Sequence, residues 1–185
     1  MQALRNEKER FTYADYINWD DSERWELIDG IAYAMSPAPS REHQEILREL
    51  FGQLYLYLRG KPCKVFVAPF DVRLSADAND DTVVQPDIMV ICDESKLDDK
   101  GCVGAPDLII EILSPASTLR DRVIKFNKYL QAGVREYWIV EPDSKSVSVH
   151  LLENGRYYTT GFSDADVIQP HVLEGCTINL QEVFR

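Results

Sequence analysis

The sequence predicts an α/β (α+β) fold, a mixed β-sheet flanked by helices with an N-terminal β-hairpin and helix. Three observations carry that prediction. Two apolar, β-branched runs, "VVQPDIMVI" (83–91) and "PDLIIEIL" (106–113), read as strands covered on both faces. An amphipathic segment precedes them and another, Thr118 to Ala132, follows. A run of β-rich segments then closes the chain, so strands and helices alternate before a meander.

Each element has its own signal. "TYADYIN" (12–18) predicts a short capped helix, and "RWELIDGIAYAM" (24–35) predicts a hairpin turning at Asp29-Gly30. The next helix starts at Ser40 as N-cap, with Glu42 in its first turn, and ends at Gly60. Its apolar stripe is Ile46, Leu47, Leu50, Phe51, Leu54 and Leu58. "KVFVAPFDVRL" (64–74) reads as one strand, followed by an acidic loop and then the two apolar runs. Gly133 closes the helix from Thr118. "EYWIVEP" (136–142) and "SVSVHLL" (146–152) are strands around a turn at Pro142-Asp143, and "RYYTTGF" adds another.

With 185 residues, 45% hydrophobic and 28% charged, the chain is read as one globular domain, 1–185. The first twenty residues hold no apolar segment of signal-peptide type and no run is long enough for a bilayer, so no membrane association is expected. Cys63, Cys92, Cys102 and Cys176 form no CxxC pair, which predicts reduced thiols and a cytoplasmic protein rather than a zinc site. The net charge of −11 counts against a nucleic-acid partner, which usually meets a basic footprint. Local potential and divalent cations keep that class open.

The chemistry centres on Glu111. An unpaired carboxylate within so apolar a strand costs several kcal/mol, so it must be protonated, paired or bound to a metal. Alternation places Asp107, Ile109, Glu111 and Leu113 on one face, but Asp107 lies about 13 Å away along the strand, too far to share a cation. Asp87 opens the preceding apolar strand. Neighbouring strands run about 4.8 Å apart, a separation that lets Asp87 and Glu111 hold one Mg²⁺. Asp121 and Lys125 lie four apart on the following helix, with Lys128 one turn on; alone, this spacing reads as a solvated ion pair. Beside an acidic pocket Lys125 gains a role in positioning water or stabilising charge. Glu26 reads equally as an edge-strand charge or as a member of the site; His43 could also lie close by, though a lone His at a helix start more often reads as a surface residue.

Asp87 after Pro86, with Glu111 on the next strand, resembles the PD-(D/E)XK nuclease superfamily. More narrowly, "WELIDGIAY", "SPAPSREHQEI", "QPDIMVI", "APDLIIEILSPAST", "DRVIKFNKYLQAGVREYWIVEP" and "LEGCTINLQEVF" resemble the Uma family of restriction-endonuclease-like proteins, in order and over almost the whole chain. The resemblance implies a four-stranded mixed core sheet and Mg²⁺-dependent hydrolysis of DNA phosphodiesters, with Mn²⁺ as a substitute. Asp87 and Glu111 match the metal-binding acids, with the Ile112 carbonyl as a further ligand. Glu26 matches the acid of the family's ELIDG segment. Leu113 stands where the superfamily's motif lysine belongs, and Lys125 on the following helix takes its place. The catalytic set implied is therefore Glu26, Asp87, Glu111 and Lys125, leaving a 5′-phosphate. A homodimer suits an enzyme that cuts both strands.

Two rivals remain. A nuclease fold with decayed chemistry, acting in protein interaction or dimerisation, suits the acidic charge and the missing motif lysine. A hydrolase of a small phosphorylated substrate also suits that charge, though "GCVGAP" makes no phosphate loop. The basic residues Arg120, Arg122, Lys125 and Lys128 discriminate, because a DNA enzyme should gather them near Glu111.

Overall fold

The chain enters through α1 (Tyr13–Tyr16), where Thr12 is the N-cap and the Asp15 carboxylate accepts from the Thr12 amide at 2.8 Å. The structure, a computed structural model, describes residues 10–19, 23–35, 38–75, 80–115 and 118–185. The strands β1 (Trp25–Ile28) and β2 (Ile31–Ala34) form the expected hairpin. Its turn needs two left-handed residues, and Asp29 and Gly30 supply them at φ 51° and 74°. Next, α2 (Arg41–Leu58) begins where the Ser40 hydroxyl accepts the His43 amide at 3.1 Å. Ile46, Leu50, Leu54 and Leu58 form its buried stripe, while Leu47 and Phe51 pack only partly. Each of these fully buried leucines contributes roughly 1.5–3 kcal/mol.

The segment 64–74, expected as one strand, is two: β3 (Lys64–Val67) and β4 (Asp71–Arg73). The run 83–91 likewise divides into β5 (Val83–Val84) and β6 (Ile88–Ile91). Pro69 and Pro86 stand at the breaks; without an amide donor, neither can continue a ladder. Both segments thereby pass from one sheet into another. A short hairpin, β7 (Leu97–Asp98) and β8 (Gly101–Val103), precedes β9 (Leu108–Ile112).

After β9 the helix begins as a π-helical stretch, Arg120–Lys125, which runs into α3 (Phe126–Ala132) and ends at Gly133 with φ 82°. The meander β10 (Glu136–Glu141), β11 (Ser146–Glu153) and β12 (Arg156–Ser163) follows as expected. A small ladder of β13 (Val167–Ile168) and β14 (Ile178–Asn179) and the helix α4 (Leu180–Val183) close the chain. Among the described residues, no helix is long and apolar enough to cross a membrane.

Two six-stranded mixed sheets result. The core sheet runs β12-β11-β10-β9-β6-β3 and the hairpin sheet β2-β1-β5-β4-β8-β7. The core sheet thus has six strands where the resemblance implied four. One face of the core sheet (Ile88, Leu108, Ile110, Ile112, Trp138) packs on α2 and the C-terminal segment. Its other face (Met89, Ile109, Tyr137, Ile139) packs with Tyr129 of α3 against Ile28, Val72 and Val84 of the hairpin sheet. Glu111 projects toward this second cluster, between the sheets.

The thiol expectation fails in part. Lys64 pairs with Ile91, so Cys63 and Cys92 stand opposite each other one step beyond that ladder, and they form a disulfide. Spacing along the chain gave no hint of this cross-strand meeting. Cys102 and Cys176 are free and buried, as expected.

His150, on β11, carries a pH-dependent share of stability. Its ring packs at 5.0 Å from Phe126, Nδ1 meets the Thr159 hydroxyl at 2.8 Å, and Nε2 is buried with no hydrogen-bond partner among the described residues. Burial first, and the Arg122 charge second, push its pKa down from 6.5 to about 4. A depressed imidazole favours the fold when neutral, so this contribution is complete above pH 6.5 and is lost as pH falls through 4. It amounts to about 3 kcal/mol. Urea titrations across that window should show a shallower acid loss for His150→Gln than for wild type; equal slopes would assign the acid sensitivity elsewhere.

Candidate active site

Glu111 answers its burial with two neighbours. Its Oε1 accepts from Lys125 Nζ at 2.8 Å and from the Tyr129 hydroxyl at 2.7 Å. The same ammonium lies 2.7 Å from Glu26 Oε1 and 3.5 Å from Asp121 Oδ1. Arg120 Nη1 stands 3.2 Å from Glu26 Oε2, and the Gln85 amide donates to Glu26 Oε1 at 3.0 Å. All five charged side chains are at least nine-tenths buried. Three carboxylates and two cations form one cluster between the sheets.

The helix winding builds half of it. A π-helical stretch bonds i to i+5 and widens the turn, so Arg120 and Lys125, five apart, come onto one face together with Asp121. In an α-helix the two cations would diverge. Strand alternation supplies the rest, turning Glu26 of β1 and Glu111 of β9 toward each other from opposing sheets.

The electrostatics follow from burial. Desolvation pushes the Glu111 carboxyl up to about 8, against the lowering effect of Lys125, with Asp121, Asp87 and Glu26 adding to the rise. Burial disfavours the Lys125 ammonium, but Glu111, Glu26 and Asp121 outweigh it and hold its pKa well above the usual lysine value.

Asp87 stands one residue before β6. The ladder pairs Ile88 with Ile110, so its next step puts Asp87 opposite Glu111. On its other side Asp87 continues the β3–β6 ladder, since the Ala68 amide donates to the Asp87 carbonyl at 3.1 Å. Asp87 Oδ2 accepts from the Ile112 amide at 2.8 Å and meets His43 Nε2 at 3.2 Å. His43 is therefore no surface residue: it is buried at the first turn of α2, with its ring on Asp87. Burial lowers the His43 pKa, but the Asp87 hydrogen bond and charge and the Ile112 backbone override it and give a net rise. The sequence signal that could have found it is the helical stripe itself, which His43 extends one turn before Ile46.

The remaining polar residues go elsewhere. Asp107 takes the Cys92 amide at 2.8 Å and Arg135 at 3.1 Å, away from Glu111. Arg122 pairs with Glu141 and Lys128 with Asp29, so of the four basic residues only Arg120 and Lys125 reach the acidic cluster. A cavity of about 430 Å³ opens beside the cluster rather than within it, with Gln85 common to both.

The donor set suits a hard divalent cation. Mg²⁺ keeps several waters and is commonly held by one or two carboxylates plus substrate phosphate, and Asp87 and Glu111 are the carboxylates that would serve it here. Among the described residues no group of three or more His, Cys, Asp or Glu side chains is arranged to hold a metal. An all-protein cage is therefore not what this site offers.

The two packed mixed sheets, with helices on the outer face and in the crossover, define a nuclease-type α+β fold. The family described as Uma2, "Putative restriction endonuclease", matches residues 13–181, and the chain belongs to that family. The crystal structure of "a putative nuclease belonging to DUF820" from Anabaena variabilis superposes with a TM-score of 0.75 at 19% identity, over 94% of this chain and 97% of that one. Two proteins of a Synechocystis strain are also similar. The uncharacterized protein slr1290 is 24% identical over 84% of this chain and 82% of its own length. The uncharacterized protein sll1609 is 30% identical over 70% and 74% respectively.

Proposed function

We propose that the chain is a divalent-metal-dependent endonuclease that hydrolyses DNA phosphodiester bonds. The observation that supports this reading is that Asp87 stands one step beyond the Ile88–Ile110 pair, near enough for its charge to raise the Glu111 carboxyl, with Lys125 on Glu111. Asp87, Glu111 and the Ile112 carbonyl would hold Mg²⁺ or Mn²⁺, which supplies Lewis acidity at a phosphate oxygen and a more acidic water. Lys125 brings a fixed positive charge to the phosphate or the attacking water. Glu26 and Asp121 keep that ammonium charged and aimed. The Tyr129 hydroxyl orients Glu111, and His43 with the Ile112 amide orients Asp87. Two copies would present two such sites to the two strands of a duplex.

One observation favours the decayed module instead. Lys125 and Tyr129 both occupy Glu111 Oε1, as in a closed structural ion cluster. A plasmid nicking assay decides between them. Wild type in Mg²⁺ or Mn²⁺ should nick supercoiled DNA, EDTA should stop it, and Glu111→Gln should be inactive in either metal. Undiminished nicking by Glu111→Gln, or none by wild type, removes the nuclease reading. The metal should also raise the wild-type melting temperature, because it binds the native state alone. Identical melting curves in Mg²⁺ and in EDTA would count against the site.

A further inference from the structure

We propose that the cavity on the outer face of the hairpin sheet is a nucleobase subsite, taking one unstacked base from the strand whose phosphate lies at Asp87 and Glu111. The inference rests on the nuclease reading above for its substrate, but not for its geometry.

The cavity floor is a row across three strands. The β1–β5 register pairs Leu27 with Val83, so its continuation sets Trp25 opposite Gln85. The β5–β4 register pairs Val84 with Val72, so the same step sets Gln85 opposite Asp71. Residues directly opposite share a face, and these three look away from the carboxylate cluster. The floor must stay flat next to Asp71: its β8 partner is Gly101, where an added Cβ would lie 2.1 Å from the Asp71 carbonyl oxygen. Tyr16 and Trp19 form the wall, with their rings 5.3 Å apart, and Trp19 lies 6.0 Å from Trp25.

The polar floor is organised in advance. Gln85 Nε2 donates to Asp71 Oδ1 at 2.8 Å and to the Tyr16 hydroxyl at 3.2 Å, and that hydroxyl donates to Asp71 Oδ1 at 3.0 Å. Arg24 donates through Nε at 3.0 Å and Nη2 at 2.6 Å to Gln85 Oε1. No printed contact engages Asp71 Oδ2 or Arg24 Nη1 among the described residues, so a carboxylate acceptor and guanidinium donors face the cavity, with Glu23 and Lys100 also in its lining. Guanine suits that pair best: its N1–H and 2-amino group offer two adjacent donors to the carboxylate and its O6 an acceptor to the guanidinium, whereas thymine sets a single N–H between two carbonyls. Aromatic walls suit any base by stacking. A volume of about 430 Å³ accepts one nucleoside.

Position completes the argument. Gln85 on the floor and Asp87 at the site are two residues apart, so their Cα atoms lie within about 7 Å. That is about two nucleotide steps along a strand. Gln85 faces both ways, its side chain in the cavity and its backbone amide on Glu26.

The test is equilibrium binding in EDTA, where no cleavage occurs, read by anisotropy of labelled single-stranded oligonucleotides. One oligonucleotide carries a single guanine among thymines, a second has an abasic position in its place, and a third is all thymine. Wild type should bind the guanine strand roughly tenfold more tightly than the abasic strand. Trp19→Ala should erase that difference while leaving affinity for the abasic strand unchanged. Asp71→Asn, which replaces the spare acceptor with a donor, should abolish the preference for guanine over thymine. Equal wild-type affinity for the guanine and abasic strands overturns the subsite with no variant needed, and so does an equal loss on both strands in Trp19→Ala. Glu111→Gln should keep the base preference, so failure of the nicking assay and failure of the subsite are read separately.

Discussion

Lys125→Ala should lower the melting temperature by roughly 10 °C near neutral pH, the largest stability effect expected of any single substitution in the site. The side chain touches Glu26, Glu111 and Asp121 at once, and all three are buried. Arg120 still reaches Glu26, but the ammonium that met all three desolvated acids is gone. Breaking a buried network by deleting one partner costs about 3–5 kcal/mol. The sign of the pH dependence is a sharper test than the size. Burial pushes the Glu111 carboxyl up to about 8, above its ordinary 4.5, and loss of Lys125 removes the positive charge that lowers it. A carboxyl with a raised pKa favours the fold when protonated, so its destabilisation is absent below pH 4.5 and grows as pH rises through the folded value. The variant should therefore approach wild-type stability at about pH 5 and fall furthest behind above about pH 8. Added Mg²⁺ should recover part of the loss at the higher pH, since it replaces the missing positive charge. A deficit independent of pH would mean that Lys125 contributes packing and not charge.

Asp87→Asn should reduce metal-dependent nicking on the order of a thousandfold and leave the fold intact. The amide retains an oxygen that can accept from the Ile112 amide, so the ladder end is preserved, but the charge is gone. His43 supplies a readout that a purely structural role for Asp87 would not move. Its pKa is raised because Asp87 hydrogen-bonds and attracts it against the opposing effect of burial. Without that charge, burial should take the pKa below 6.5, which an NMR titration of the ring would register. Unchanged nicking together with a shifted His43 would make Asp87 an anchor for the helix and nothing more.

Much of the scaffold was legible from side-chain pattern. The Asp29-Gly30 turn, the Ser40 cap, the shared face of Ile109, Glu111 and Leu113, and the adjacency of the strands carrying Asp87 and Glu111 all follow from local rules. What escaped depends on longer-range geometry. Pro69 and Pro86 were visible, yet the apolar runs around them hid the passage of each strand from one sheet to the other. The π-helical winding that gathers Arg120, Asp121 and Lys125 leaves no mark in the spacing, which reads equally as an ordinary surface ion pair. His43 was misjudged because helix starts are usually wet, and this one lies over the end of β9. The aromatic cavity was invisible because Tyr16, Trp25, Asp71 and Gln85 come from four separate segments.

The Cys63–Cys92 bond encloses this passage through the hairpin sheet, from the start of β3 through β4 and β5 to the end of β6. Closing a loop of this size restricts the denatured chain by about 3.5 kcal/mol. Asp71, Gln85 and Asp87 all ride on that tethered loop. A reducing milieu would loosen the unfolded ensemble and spare the ladder, so the same polypeptide would be hardier outside the reach of thiol reductants than within it.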